Sequence, residues 1–352
     1  MRCARGVFQV KLAVRCEMTD DGWADTDDTV CIKMLLKTCI RRRVTVRNQR
    51  VKENPWVEIK VMQYLSDPGH SHILNLRQLF DNDDMVFMVM DFSPDGELFN
   101  YVVSQPGGRL PEAQAKDFFV QLIKAVCYMH GRGIVHRDMS LENVLLGPEN
   151  RLRVIDFGLA ADRWSRPPCQ QIDPDRVGKT GYMSPECYAN LPIDERSDLW
   201  CLGVMLFMML FGVPPYRYPD GHICPLFREL AAGNMPVLLE HWGLRYRVSP
   251  DALNLVLAML MPPVEERLSI PDILRHPWLA DALDDLGGQE AAAAQAAEVL
   301  EAGREMHAFI WKRPNDPAAG GGGGEAEADA EGETEGEVEL PPAEGDAEDD
   351  DV

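Results

Sequence analysis

Apolar positions along the chain set out its elements. Residues 7–16 alternate roughly with period two and Thr29–Leu36 does so again, which predicts two strands. The acidic, turn-prone stretch Glu17–Asp28 between them reads as a surface loop. From Pro55 the apolar positions Trp56, Ile59 and Met62, with Val61 and Leu65, follow a helical period. Met85–Phe92 is a continuous apolar run closed by Ser93-Pro94-Asp95-Gly96, and it predicts a buried strand. Pro111 and Glu112 open a helix whose apolar face is Phe118, Phe119, Leu122, Ile123, Val126 and Met129. The longest apolar run, Leu199–Val213, falls short of the roughly 20 residues that a bilayer span needs and predicts a buried helix.

From Gly133 to Gly158, short apolar runs alternate with polar residues. Ile134-Val135, Val144–Leu146 and Val154-Ile155 predict short buried strands, and between and after them stand His136-Arg137-Asp138, Asn143 and Asp156-Phe157-Gly158. A carboxylate, an amide and a second carboxylate are thus held on one hairpin. Phosphoryl transfer is mostly positioning and charge, so two oxygen ligands for Mg²⁺ and one carboxylate facing the acceptor hydroxyl supply most of the machinery. Mg²⁺ favours carboxylate and carbonyl oxygens together with water and nucleotide phosphates.

In this order and spacing, the two triplets resemble the catalytic and metal loops of eukaryotic protein kinases. The resemblance implies an α+β, two-lobed fold, with a small β-rich lobe carrying one main helix and a large, mostly helical lobe. It implies ATP and Mg²⁺ as cofactors, Asp138 as the catalytic carboxylate, Asn143 and Asp156 as metal ligands, and Leu145 as the floor of the adenine pocket. Val30-Cys31-Ile32-Lys33 is similar to the family's Val-Ala-Ile-Lys strand, which places Lys33 on the α and β phosphates. The register of the following helix makes Glu58, in preference to Glu53, the partner of that lysine. Val10 and Cys31 fall at nucleotide-binding positions, Met90 at the gatekeeper position, and the backbone of Asp91 to Ser93 where the base is met. Glu97 matches a residue that contacts ribose or a basic residue of the substrate. Asp198 is expected to bond the catalytic-loop backbone, and Glu186 and Arg267 to form a structural ion pair. His276-Pro277-Trp278-Leu279 resembles the end of calcium/calmodulin-dependent-like and AMP-activated-like kinases of the serine/threonine type. The likeness spans about Val7 to Leu279.

Three departures stand out. The family covers the phosphates with Gly-x-Gly-x-x-Gly-x-Val, but counting back from Val10 puts Phe8, Arg5 and Cys3 at the glycine positions. Either a truncated start, favoured by the place of Met1, or a degenerate loop is expected. The lysine usually found two residues after the catalytic Asp is Ser140, while Lys179 follows Gly178 where the family carries threonine. Hydroxyl and ammonium have changed places, so Lys179 is expected to supply the missing cation. Asp175 stands where relatives carry a phosphorylated residue and, with Asp173, is expected to give Arg137 a fixed negative charge; Ser165 is another candidate phosphosite. The rival to an enzyme is a kinase-shaped scaffold without catalysis: complete oxygen ligands favour the first, the altered glycine loop the second.

Charge and composition narrow the partners. The net charge is −22, but fifteen acidic and no basic residues lie after Arg313, leaving 42 acidic against 35 basic residues before it. The acidity belongs mainly to the tail and argues against nucleic acid or an anionic membrane as partner. Arg41-Arg42-Arg43 reads as a solvated loop. Nine cysteines without a Cys-x-x-Cys pair fit reduced thiols and a cytoplasmic setting, the nucleus remaining open. Protein substrates are implied, with mild preference for basic residues upstream of the target hydroxyl: Glu97 and Glu142 are retained, but Met208 replaces a carboxylate common in strongly basophilic relatives. Residues 288–312 predict a helix packed on the large lobe. Aromatic and basic residues meet at its end as in calmodulin-binding segments, yet three basic residues from Arg304 onward are few for calmodulin. The expected domains are 1–92 for the small lobe, 93–280 for the large lobe, 281–313 for the helical extension and 314–352 for a disordered Gly-rich and acidic tail.

Overall fold

The structure, a computed structural model, describes residues 8–20, 22–44, 50, 52–163, 176–283 and 287–301, with the last helix continuing to Met306. Strands β1 (Phe8–Thr19) and β2 (Gly22–Leu36) form an antiparallel hairpin, followed by the short helix α1 (Lys37–Arg42) and by α2 (Pro55–Leu65). Strands β3 (Leu76–Asp81) and β4 (Met85–Asp91) complete a four-stranded sheet of order β1-β2-β4-β3. Helix α2 starts at the expected Pro55, which occupies the first turn, and the Asn54 side chain caps it by accepting Trp56 N at 3.1 Å. Its buried face is Glu58, Ile59, Val61, Met62 and Leu65.

Helices dominate the rest: α3 (Leu98–Ser104), α4 (Glu112–Gly131), α5 (Pro185–Tyr188), α6 (Arg196–Phe211), α7 (Pro225–Ala231), α8 (Met235–His241), α9 (Pro250–Met259), α10 (Ile270–Leu274) and α11 (Gln289–Met306). Helix α6 is apolar on every side and almost wholly buried, packed on α4 and α9, as an all-round apolar helix must be. Its Gly203 lets α9 come close, since a Cβ there would lie 3.0 Å from that of Met259. Helix α11 packs on α4 and α10. A Cβ on Gly131 would meet Val299 Cγ1 at 2.2 Å, so the end of α4 is notched to receive it. Among the described residues no helix is long and apolar enough to cross a membrane.

Two expectations need correction. Glu17–Asp28 is not a loop: β1 continues to Thr19 and β2 begins at Gly22. The alternating signal is missing because this end of the hairpin is largely solvated, so no face had to be apolar. Polar cross-strand bonds hold it, Thr26 Oγ1 donating to Arg15 O at 2.8 Å and Cys16 Sγ to Asp25 at 3.0 Å. Arg41 and Arg42 close helix α1 and Arg43 caps it, exposed as expected but not in a loop. Positive charge is favoured at that helix end.

Candidate active site

The polar centre is built by short pieces. Strands β5 (Ile134–Val135) and β8 (Ala161–Asp162) pair, as do β6 (Val144–Gly147) and β7 (Arg151–Val154). Between β5 and β6 the backbone carries Arg137 at φ 67°, and after β7 it carries Asp156 at φ 68°. Such left-handed conformations cost a non-glycine residue on the order of 1–3 kcal/mol and persist only where surroundings impose them. Asp198, fully buried in the first turn of α6, does so for Arg137: its carboxylate accepts His136 N at 2.8 Å, Arg137 N at 2.9 Å and His130 Nε2 at 2.9 Å. Burial alone would raise the Asp198 pKa, but the His130 bond, the two imidazoles and the His136 N–H together hold it below the ordinary value. His136 Nε2 also reaches Ile155 O at 3.0 Å and ties the two loops together.

Asp138 is gripped from two sides. Asn143 Nδ2 donates to its Oδ2 and to its backbone oxygen, both at 2.7 Å. From the other side, Lys179 N donates to Oδ1 at 2.9 Å, while Lys179 Nζ donates to Oδ2 and to Ser140 Oγ, each at 3.0 Å. The ammonium and hydroxyl exchanged in sequence therefore meet in space. Gly178 makes the approach possible: φ is +94°, and a Cβ there would stand 2.7 Å from Arg137 O and 3.1 Å from Asp138 Oδ1.

Above this loop, Lys33 on β2 donates to Glu58 on α2 at 2.5 Å, and both are buried. Burial opposes the Lys33 charge, but Glu58 and then Asp156 outweigh it and raise its pKa above the ordinary value. A cavity of about 630 Å³ opens between the sheet and the loop that carries Asp138, within the size range of ligand sites. Val10, Cys31, Met90 and Leu145 give it apolar walls, Cys31 and Met90 being register partners across β2 and β4. Lys33, Glu58, Asp91, Ser93, Glu97, Asp138, Asn143, Asp156 and Lys179 also line it, so the residues expected for catalysis, nucleotide binding and metal ligation border one space. The Asp91 carboxylate is occupied by Arg77 Nε at 2.5 Å.

The protein kinase domain model matches residues 22–279 of the 352. The chain belongs to the protein kinase family. It is 34% identical over 257 residues to CBL-interacting protein kinase 16 of Oryza sativa subsp. japonica, covering 71% of this chain and 51% of that one. It is 32% identical over 271 residues to CBL-interacting serine/threonine-protein kinase 26 of Arabidopsis thaliana, 75% and 55% of the two chains. To the maternal embryonic leucine zipper kinase of Xenopus tropicalis it is 31% identical over 226 residues, 63% and 32%. The chain thus spans a third to about half of these curated relatives. The α+β two-lobed fold is that of the family, and ATP is the family's phosphoryl donor.

The structure also shows a cavity residue that residue patterns left unseen. Glu53, passed over as the partner of Lys33, lines the cavity beside Gly158, whose oxygen accepts Asn54 N at 2.8 Å. Burial, then repulsion by Asp156 and Asp138, raises its pKa against the opposing pull of Lys33. It lies ahead of the helix in a stretch without periodicity, so no pattern could single it out. Glu186 and Arg267 do pair, through two bonds of 2.7 and 2.9 Å. Ser165, Asp173 and Asp175, like Cys3, Arg5 and the segment after Met306, lie outside the described residues.

Proposed function

We propose that the chain is a protein serine/threonine kinase that moves the γ-phosphate of ATP to Ser or Thr hydroxyls of protein substrates. The observation that carries this reading is Asp138, held by Asn143 and Lys179 at the mouth of a cavity that also contains the Lys33–Glu58 pair and Asp156. Asp138 is the base that orients the acceptor hydroxyl and takes its proton. Lys33, fixed by Glu58, meets the α and β phosphates. Asn143 and Asp156 offer hard oxygen donors that suit Mg²⁺, which would shield phosphate charge when bound. Lys179 stands where a cation can neutralise the transferring group, in place of the lysine that Ser140 replaces. Glu97 and Glu142 border the cavity and favour arginine upstream of the target residue. The buried free thiols of Cys39, Cys201 and Cys224 support a reducing, cytoplasmic setting.

The reading is tested by incubating the full chain with γ-labelled ATP, Mg²⁺ and peptides that differ only in a Ser, Thr or Tyr target behind an arginine. Label on the Ser and Thr peptides, lost in Asp156→Ala, is expected. Background label on all three peptides would favour the scaffold reading.

A further inference from the structure

The phosphate end of the cavity is covered by a side chain of the protein itself. Phe8 and Lys33 are diagonal neighbours across the β1–β2 ladder, since Val10 lies opposite Lys33 and Phe8 opposite Leu35. Diagonal pairs are within reach of aromatic and long side chains, and here they touch: Lys33 Nζ sits 3.9 Å from the centre of the Phe8 ring. Lys33 is 6% exposed, with Glu58 taking one N–H of its ammonium and the phenyl face lying over it. Both Phe8 and Lys33 line the same cavity. A phosphate oxygen cannot occupy the space filled by the ring.

We infer that Phe8 is a specificity-determining residue, a lid on Lys33 that polyphosphates must displace and that the base and ribose do not meet. The inference rests on the nucleotide reading given under Proposed function. Counted back from Val10, Phe8 stands where the family pattern places its last glycine, ahead of Gly22, where the family match begins. The lid opposes binding in two ways. The ring fills volume next to the ammonium, and the attraction between a desolvated cation and a ring face holds it there. An ATP molecule gains its contact with Lys33 only after that attraction is broken, whereas adenosine occupies the apolar walls of Val10, Cys31, Met90 and Leu145 with the lid in place.

The test is calorimetric titration of the full chain, Phe8→Gly and Phe8→Leu with adenosine and with ATP in Mg²⁺, each variant first checked for a cooperative melt. Phe8→Gly is expected to bind ATP about 10-fold more tightly and adenosine within about twofold of the parent. Phe8→Leu keeps apolar bulk but loses the ring face, and is expected to gain about threefold for ATP alone; it carries the test if the glycine variant does not fold. Unchanged or weaker ATP binding in both variants, with adenosine still bound, overturns the lid and leaves the nucleotide reading standing. Equal shifts for ATP and adenosine overturn it too, since the ring would then act on the whole pocket. Failure of all three chains to bind either ligand removes the nucleotide reading and the lid together.

Discussion

Replacing Lys179 by alanine is expected to slow phosphoryl transfer on the order of 100-fold. The side chain places one ammonium 3.0 Å from both Asp138 Oδ2 and Ser140 Oγ. Removing a single preorganised group of this kind from an active site costs roughly 100- to 1000-fold, or about 2.7–4 kcal/mol. The Lys179 side chain is 36% exposed, so water screens part of its field and the lower end of that range applies. The assay is steady-state transfer to a serine peptide at varied ATP. The loss is expected in kcat with KM for ATP little changed, because the cation acts on the transferring group and not on the bound base. Exchanging the two side chains, Ser140→Lys with Lys179→Ser, is expected to recover at least about tenfold of the loss by restoring a cation from the other side. A Lys179→Ala variant within about threefold of the parent would refute the reasoning, and failure of the double exchange to recover anything would show that Lys179 acts by holding the segment backbone.

Other parts of the account are open to simpler measurements. Gly178→Ala forces a Cβ to within 2.7 Å of Arg137 O at a φ of +94°, so transfer should collapse and stability should fall by more than about 1 kcal/mol, as read by a thermal melt. Arg267→Met strands the buried Glu186 carboxylate and is expected to cost about 3–5 kcal/mol in denaturant unfolding, with Glu186→Met added in the same chain recovering part of it. The Asp198 pKa is depressed in the folded state, so its contribution is fully present above the unfolded carboxylate pKa and is lost as pH falls through the folded one. Asp198→Asn should therefore lower stability near neutrality and flatten its decline below about pH 4, as measured by unfolding across that range.

Much of the centre was legible because its polar residues are pinned between short apolar runs. Val135, Val144 and Val154 are fully buried, which is why their pattern survives in the sequence and fixes the spacing of Asp138, Asn143 and Asp156. The Lys179 and Ser140 exchange was readable for a different reason: two substitutions made sense only if the residues touch. Three features were not readable. The outer hairpin from Glu17 to Asp28 has no buried face to impose a period. Glu53 enters the cavity through the path of the chain before α2, which local pattern does not encode. The covering of Lys33 by Phe8 depends on the ladder register, a long-range property that a misplaced glycine motif hints at without specifying.

The most direct measurement is single-turnover transfer from ATP to a serine peptide by the full chain and by Asp138→Asn, which keeps size and hydrogen-bonding reach but cannot take a proton. The account expects the parent to phosphorylate the peptide and the variant to fall at least about 100-fold below it with ATP binding retained. Equal rates in the two proteins would contradict it.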